Sequence, residues 1–415
     1  MKIPNDWNMA KFGELAKITC GVAATPEYVD AAIGVPFLSA RNVQKERLDL
    51  SYFQHIPREL HEKLTKNTKP AKGDVLLTRV GAGIGEAAVV DIDFEFSVYV
   101  SLTLIKCGKY LDSEYVKSLL NTNYYRYLAT RDQFAGGGVQ NLNVQMVKEY
   151  PIPVPPLSEQ KKIAQILSTW DKAITTTEQL LANSQQQKKA LMQQLLTGKK
   201  RLLDKNGVGF SGEWKWLKVS DLLKVRKEKQ VPTKDVPLFS LTIEDGITPK
   251  SDRYNREFLV KNTDEKKYKL VKPKDIVYNP ANLRWGAINF SRMDHSVVVS
   301  PIYEVLFLKD KNKTSLEFIA QKLMTPDQIG RFAAMVEGTL VERMAVKIEP
   351  FLATKLSVPP TLEEQQKIAA VLSAADQEIS ALQQKLDALK QEKKALMQQL
   401  LTGKRRVKID NKEVA

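Results

Sequence analysis

A segment of twelve residues occurs twice in the chain, and this repeat restricts the possible folds more than any other feature. Residues 188–199 read KKALMQQLLTGK, and residues 393–404 read the same letters. The two copies are separated by about half of the 415-residue chain. Because an identical match of this length has a very small probability of arising by chance, the chain is predicted to contain an internal duplication.

The duplication extends beyond the identical segment, with decreasing similarity. Residues 155–164 resemble residues 359–369, and both stretches begin with two prolines. Weaker matches join the globular stretches, namely Trp7 with Trp214, 74–76 with 275–277, Gly85 with Gly286, and 98–101 with 297–300. The predicted order is therefore globule, long segment, globule, long segment.

The two long segments are predicted to be helices. Ser158–Thr197 and Thr361–Thr402 contain neither proline nor glycine and consist mainly of residues with high helix propensity. The first residue of each segment is expected to be the N-cap, and Glu364 would complete a capping box in the second. Gly198 and Gly403 lie where a C′ glycine ends a helix.

Both helices carry a seam of residues spaced three and four apart, which is typical of a coiled coil. The second seam consists of Ile379, Leu382, Leu386, Leu389, Leu396 and Leu400, with Lys393 as an exception. The first seam is more polar and consists of Ile174, Thr177, Leu181, Ser184, Lys188, Leu191 and Leu195. Each helix would be roughly 60 Å long at about 1.5 Å per residue.

A helix of this length with an apolar stripe needs a partner, and the obvious partner is the other copy. The chain leaves the first globule along one helix and returns from the second globule along the other, so the pair is predicted to be antiparallel. This connectivity would place the globules at opposite ends of the pair, related by an approximate two-fold axis. A plain spacer or a dimerisation coiled coil is the alternative.

The globules are predicted to have an α+β fold, because short apolar runs alternate with turn residues and with one helical stretch in each. The predicted strands are 75–77 and 98–105, then 237–242, 275–278 and 297–308, and the predicted helices are 113–130 and 315–324. The complete prediction is an α+β fold with two globular domains separated by two long antiparallel coiled-coil helices, with pseudo-two-fold symmetry. Its boundaries are 1–156 for the first domain, 157–198 for the central helix, 199–360 for the second domain, 361–403 for the distal helix and 404–415 for a C-terminal tail.

The charge balance favours a polyanionic partner. Lys and Arg total 63 against 48 for Asp and Glu, which gives a net charge of +15 and a pI near 9.4. A basic protein without a nucleic-acid partner is the alternative. The only cysteines, Cys20 and Cys107, imply no disulfide framework and fit a reducing cytoplasm. Residues 1–16 lack the apolar stretch of a signal peptide, and the most apolar run, 297–308, is too short to cross a membrane.

Three short motifs could indicate catalysis, but each has a more favourable explanation. Gly81–Gly85 lacks the Lys-Ser/Thr of a P-loop, so a tight turn that approaches DNA is preferred. Asn279–Ala281 resembles the Asn-Pro-Pro-aromatic motif of amino-methyltransferases but lacks its second proline and its aromatic residue. Asp91 and Asp93 are better explained as solvated turn carboxylates than as a nuclease metal site. No metal site is expected.

The candidate DNA contacts are polar and cationic residues near the predicted loops. Arg and Lys suit guanine, Asn and Gln suit adenine, and phosphates accept all four types. The candidates are Arg41, Asn42, Lys45, Arg79, Gln140, Asn141 and Asn143 in the first globule, and Arg226, Lys229, Arg253, Arg256, Asn282, Arg284 and Arg343 in the second. For each one, a solvated surface position is the alternative.

Several of these motifs together resemble a known family. Residues 73–79 (GDVLLTR), followed by Gly83–Gly85, look like the strand-and-turn motif of the DNA-specificity (S) subunits of type I restriction–modification systems. Residues 136–142 and 150–156 resemble the end of a target recognition domain, and the twelve-residue repeats look like the repeated helix ends of that family. The resemblance covers essentially the whole chain.

The resemblance implies a non-catalytic subunit that reads a bipartite, gapped DNA site with two different domains. It implies two modification subunits that bind S-adenosylmethionine and methylate adenine, and restriction subunits that use ATP and Mg²⁺ to cleave unmodified DNA. No cofactor is expected in this chain itself. A self-contained DNA adenine methyltransferase and a coiled-coil scaffold without DNA readout are the competing hypotheses.

The second globule departs from the family pattern at two places. It has residues 279–284 (NPANLR) where the first globule has 78–83, and 338–343 (GTLVER) in place of the Gly-Gly-Val-Gln-Asn loop. Such divergence is expected if the two domains read different bases.

Overall fold

The computed structural model describes residues 3–21, 26–131, 141–243, 246–249, 266–337 and 344–409. The chain forms two compact units. Unit 1 contains residues 1–179 together with 384–415, and unit 2 contains residues 180–383. Unit 1 is therefore built from two separate stretches of chain, because the end of the second long helix belongs to it.

Unit 1 combines short strands with short helices. Its strands are β1 (Asn8–Lys11), β2 (Ala16–Cys20), β3 (Val35–Leu38), β4 (Val43–Gln44), β5 (Arg47–Leu48), β6 (Gln54–Ile56), β7 (Val75–Thr78), β8 (Ala87–Val89), β9 (Ser97–Val98), β10 (Leu102–Cys107) and β11 (Pro151–Val154). Its short helices are α1 (Phe12–Leu15), α2 (Arg58–Thr65), α3 (Ser113–Leu120), α4 (Asn123–Arg131) and α5 (Val144–Lys148). The main sheet has the order β2-β10-β7-β8, and all its pairings are antiparallel.

Unit 2 repeats this architecture. Its strands are β12 (Lys215–Lys218), β13 (Leu223–Val225), β14 (Lys229–Gln230), β15 (Phe239–Thr242), β16 (Gly246–Pro249), β17 (Tyr268–Val271), β18 (Ile276–Tyr278), β19 (Ile288–Phe290), β20 (Val297–Val299), β21 (Glu304–Leu308) and β22 (Lys355–Val358). Its short helices are α7 (Val219–Leu222), α8 (Leu316–Leu323), α9 (Pro326–Ala334) and α10 (Ile348–Ala353). The main sheet has the order β13-β21-β18-β19, which matches the main sheet of unit 1 strand for strand.

Three predicted elements were wrong in that each is divided in the structure. The predicted strand 297–308 is two strands, β20 and β21, separated by a turn in which Tyr303 N–H donates to the carbonyl of Ser300. The predicted helix 113–130 is two helices, because the buried side chain of Asn121 bonds to the backbone N–H and C=O of Ala87 and ends α3 there. The predicted strand 98–105 is interrupted by a turn in which Leu102 N–H donates to the carbonyl of Tyr99.

The long helices α6 (Leu157–Leu195) and α11 (Leu362–Leu400) have 39 residues each. The predicted cap at Ser158 was wrong, because α6 begins one residue earlier and the carbonyl of Pro156 accepts its first hydrogen bonds. At α11 the hydroxyl of Thr361 accepts from Glu364 N–H, as half of the predicted capping box.

Within each unit the two long helices run antiparallel, as shown by their polar contacts. In unit 1, Lys393 lies 2.7 Å from Asp171 and Lys390 lies 2.9 Å from Glu178, so a later residue of α6 meets an earlier residue of α11. In unit 2, Lys188 pairs with Asp376 and Ser184 donates to Glu378 at 3.1 Å, in the same opposed order. Lys393 and Lys188 interrupt the seams, and each finds its carboxylate on the opposite helix. A polar pair inside a helical seam favours one register over others.

Candidate nucleic-acid interface

In unit 1 the fold brings together two motifs that are far apart in the sequence. The loop between β7 and β8, residues 79–86, is called the glycine loop. Val80 in this loop forms a β-bridge with Asn141, and Leu142 N–H donates to the carbonyl of Arg79 at 2.8 Å. The glycine motif and the Gln-Asn motif therefore meet at one end of the main sheet.

Arg79 holds this junction together from inside. It is 9% exposed, and its Nε donates to the carbonyl of Leu142 at 2.9 Å. Its Nη2 lies 3.4 Å from Asn141 Oδ1. Asn141 and Asn143 are both exposed, and the side chain of Asn143 also caps α5 by accepting from Gln145 N–H. Of these three candidates, Arg79 is buried and the two asparagines are exposed to solvent.

The glycine loop presents backbone rather than large side chains. Gly81 has φ +92°, is exposed, and has open space where a Cβ would lie. Gly85 has φ +84°, and a Cβ there would lie 2.8 Å from the Cβ of Ala129. Gly85 is therefore required by packing, while Gly81 leaves the backbone accessible to a bound molecule.

The candidates Arg41, Asn42 and Lys45 have three different environments. Asn42 is 1% exposed, and its amide donates to the carbonyls of Asp49 and Tyr52, so it stabilises its own loop. Arg41 is exposed with its guanidinium 5.4 Å from the ring centroid of Tyr52. Lys45 is exposed at the tip of the β4–β5 hairpin with φ +52°.

This hairpin is tied to the long helices of unit 1. Glu46 pairs with Lys393 at 2.6 Å, and Arg47 donates to Thr175 Oγ1 at 3.0 Å and pairs with Glu178 at 3.3 Å. Glu46 also has a positive φ of 64°, as a two-residue type I′ turn requires at both central positions. The hairpin and the helices line a groove of about 530 Å³. The ion pairs fix the position of the hairpin on the helices.

In unit 2 the equivalent loop lies between β18 and β19. This arginine loop, residues 279–287, is held by Val346 N–H, which donates to the carbonyl of Pro280 at 3.0 Å. Arg284 Nη1 lies 3.4 Å from Met344 Sδ. Gly286 has φ +96° at the position equivalent to Gly85. The loop has the same supports as the glycine loop but carries Asn282, Arg284 and Trp285.

The remaining candidates of unit 2 divide into buried and exposed positions. Arg226 makes two hydrogen bonds to the carboxylate of Asp275, at 2.5 and 2.9 Å, and a third to Glu228. Its guanidinium is therefore engaged within the domain. Lys229 is exposed on β14. Gln140, Arg253, Arg256 and Arg343 lie outside the described residues.

Sequence reasoning missed Trp285, whose side chain is 57% exposed on the arginine loop. Its position beside Arg284 was visible in the sequence, but an isolated tryptophan is usually buried, and only the structure shows its exposure. Arg292 was missed for a similar reason. It is exposed just after β19, with its guanidinium 4.2 Å from the ring centroid of Phe290.

No group of three His, Cys, Asp or Glu residues that could hold a metal ion occurs in the part of the chain that the structure describes. Asp93 pairs with Lys72 at 2.8 Å in an exposed ion pair. No described helix is both long enough and apolar enough to span a membrane.

Each of the two α+β units carries a loop at the same corner of its main sheet, and the two loops differ in sequence. The family model described as "Type I restriction modification DNA specificity domain" matches this chain twice, at residues 4–184 and 211–391. The chain belongs to this family, which confirms the resemblance seen in the sequence. It is a specificity subunit and not the catalytic component of such a system.

Individual relatives agree with the family. The chain is 24% identical over 432 residues to a Methanocaldococcus jannaschii protein named as the specificity subunit of the type I restriction enzyme MjaX, covering 98% of this chain and 95% of that protein. It is 23% identical over 183 residues to the EcoKI specificity subunit of Escherichia coli, covering 43% of this chain and 39% of that protein.

A solved structure shows the same fold. The S subunit of a type I restriction–modification system from M. genitalium superposes with a TM-score of 0.60 at 13% identity, covering 96% of this chain and 98% of that one. The α+β class with two long helices is thus confirmed. The domain boundaries and the two-fold relation stay predictions.

Proposed function

We propose that the chain reads a bipartite, gapped and asymmetric DNA site, with unit 1 on one half-site and unit 2 on the other. The observation that carries the proposal is the pair of equivalent loops. The glycine loop and the arginine loop occupy the same place in matching sheets and have the same type of backbone support, yet they present different side chains. Two loops at equivalent positions that carry different side chains are suited to recognise different bases.

The candidate DNA contacts can be divided on the basis of burial. The exposed side chains of Arg41, Lys45 and Asn141 in unit 1, and of Lys229 in unit 2, are proposed to contact DNA, together with the partly exposed Asn282 and Arg284. Asn42, Arg79 and Arg226 are proposed to position the loops instead, because their polar atoms already have partners inside the domain.

The proposed partners are two modification subunits and a set of restriction subunits. The modification subunits would bind S-adenosylmethionine and methylate adenine, and the restriction subunits would use ATP and Mg²⁺ to cleave unmodified DNA. The twelve-residue repeat supports two equivalent docking sites, because it gives both long helices the same surface near their ends.

The test is an exchange of the second domain. Residues 199–360 are replaced by the corresponding segment of a relative, and the chimera is assembled with its modification subunits. Sequencing of methylated sites should show one half-site replaced and the other unchanged. A matched chimera that exchanges residues 1–156 should alter the opposite half-site. If either chimera changes both halves, the assignment of one unit to one half-site is wrong.

A second measurement separates the competing functions. The purified chain with S-adenosylmethionine should not methylate DNA, and methylation by the chain alone would support a self-contained methyltransferase. The assembled complex should bind its own site more tightly than a scrambled one at the same salt concentration. Equal affinity for both would support a scaffold without DNA readout.

A further inference from the structure

Trp285 is held outside the core by a rigid turn. It is the last residue of a 3-10 turn, Leu283–Trp285, in the arginine loop. Leu283 is fully buried and anchors the turn, which packs against α9. Gly286 then adopts a left-handed conformation and ends the turn. The backbone of Trp285 is thus held by its neighbours on both sides, and its indole is exposed.

The surface around Trp285 combines apolar and cationic groups. The guanidinium of Arg284 lies 4.0 Å from the indole centroid, a cation–π contact. Ile243 is 50% exposed and borders the turn, since its Cγ2 lies 3.9 Å from the position of a Cβ on Gly286. Among the described residues, neither Arg284 nor Arg292 forms an ion pair. We call Ile243, Arg284 and Trp285 the indole patch.

An exposed aromatic side chain beside an arginine that forms no ion pair among the described residues matches the chemistry of nucleic acid. Bases offer π faces and a stacked apolar surface, and phosphates offer negative charge. Proteins that deform DNA insert apolar side chains between base steps, and arginine commonly accompanies them. The equivalent positions of the glycine loop, from Gly81 to Gly85, carry no aromatic residue.

We propose that Trp285 contacts the base stack of the half-site read by unit 2 and partly unstacks one base step there, while Arg284 pairs with a nearby phosphate. This inference rests on the proposed function, because it assumes that unit 2 reads DNA. It adds an asymmetry: the half-site of unit 2 is locally distorted, and the half-site of unit 1 is not distorted by an equivalent residue.

The test compares Trp285→Ala with Trp216→Ala. Trp216 is a matched control because it belongs to the same unit, on β12, and is 58% exposed. The chain is assembled with its modification subunits, and binding is measured on its own site with 2-aminopurine placed in either half. With the unchanged protein, binding should increase the fluorescence of 2-aminopurine in the half-site of unit 2, because the base is unstacked there. Trp285→Ala should weaken binding about tenfold and abolish this increase. Trp285→Phe should retain most of both, and Trp216→Ala should resemble the unchanged protein.

The outcomes distinguish this inference from the proposed function. If the unchanged complex does not discriminate its own site from a scrambled one, the proposed function fails. If it discriminates but Trp285→Ala behaves like Trp216→Ala, only the role of Trp285 is overturned. If Trp285→Ala impairs assembly with the modification subunits and leaves the fluorescence increase intact, Trp285 is a protein contact, and the inference is likewise overturned.

Discussion

The two units are nearly alike where they join the long helices and unlike where their loops face solvent. At the joint of unit 1, Arg406 makes a two-point contact with Glu159 at the start of α6. At the joint of unit 2, Arg201 makes the same contact with Glu364 at the start of α11. Both glutamates are fully buried. The glycine loop and the arginine loop, in contrast, share only their backbone supports.

The joint explains why the chain repeats itself so closely. The helix-ending glycines have positive φ angles, 73° at Gly198 and 69° at Gly403. A Cβ on Gly198 would lie 3.2 Å from the ring of Trp214, and a Cβ on Gly403 would lie 2.4 Å from the ring of Pro4 and 3.4 Å from that of Trp7. The joint therefore needs glycine both for its backbone and for its packing, whereas an exposed loop is free to vary.

Removal of the buried glutamate at either joint should have the largest effect on the free energy of unfolding. Glu364→Ala leaves Arg201 without an acidic partner among the described residues, so we expect a loss of about 3 kcal/mol in the free energy of unfolding. Glu159→Ala should also cost about 3 kcal/mol, because Arg406 keeps its contact with Asp6 at 2.7 Å but the buried Nε1 of Trp7 loses its acceptor. Urea denaturation of both variants measures the two losses. A much larger loss for Glu159→Ala than for Glu364→Ala would show that Asp6 does not stabilise the joint.

A buried lysine makes the stability of unit 2 depend on pH. Lys322 of α8 donates to the carbonyl of Leu196, just beyond the end of α6, and to Ser357 Oγ at 2.9 Å. The equivalent position in α3 is Leu119. Burial lowers the pKa of Lys322 to about 8. Between pH 8 and about 10.5 the unfolded chain binds the proton more readily than the folded unit does, so stability should rise with pH in this window and stay level below it.

The variant Lys322→Met should remove that pH dependence. Between pH 8 and about 10.5, the increase in the free energy of unfolding should be about 2 kcal/mol smaller for Lys322→Met than for the unchanged protein. Denaturation curves at several pH values measure the slope, with the exposed Lys355→Met as the control. Equal slopes for Lys322→Met and the unchanged protein would contradict the assignment.

The two seam lysines should differ in how much their ion pairs contribute to the free energy of unfolding. Lys393 contacts both Glu46 and Asp171 and is the more buried of the two, while Lys188 contacts Asp376. Lys393→Met should therefore cost about 1 to 2 kcal/mol, and Lys188→Met about 0.5 kcal/mol. Double-mutant cycles with each aspartate changed to asparagine measure the coupling. Equal losses for Lys393→Met and Lys188→Met would mean that the hairpin contact of Glu46 contributes nothing.

The joint tryptophans should show the smallest difference. Trp7 Nε1 donates to Glu159 at 3.1 Å, whereas the buried Nε1 of Trp214 has no hydrogen-bond partner among the described residues. Trp7→Phe should therefore cost about 1 kcal/mol more than Trp214→Phe. Thermal and urea denaturation of the two variants provide the comparison. The same cost for both would indicate that ring packing, and not the indole hydrogen bond, stabilises the joint.

Much of this architecture could be predicted from the sequence because it depends on local rules. The repeat revealed the duplication, and helix propensity with heptad spacing located α6 and α11 to within a few residues of their observed ends. Lys393 was visible as the exception in the second seam, and Lys188 as a member of the more polar first seam. Their carboxylate partners were not, because Asp171 and Asp376 lie on the other helix.

The identity of the exposed polar residues was decided only by tertiary structure. Asn42, Arg79 and Arg226 look like DNA contacts in the sequence, yet each is engaged by groups distant in the chain or by its own loop. Trp285 looks like a core residue, yet it faces solvent. Periodicity and propensity are properties of neighbouring residues, so the sequence alone determined the duplication and the helices. Burial depends on which distant segments fold over a side chain, so only the packed structure determined which polar residues are exposed.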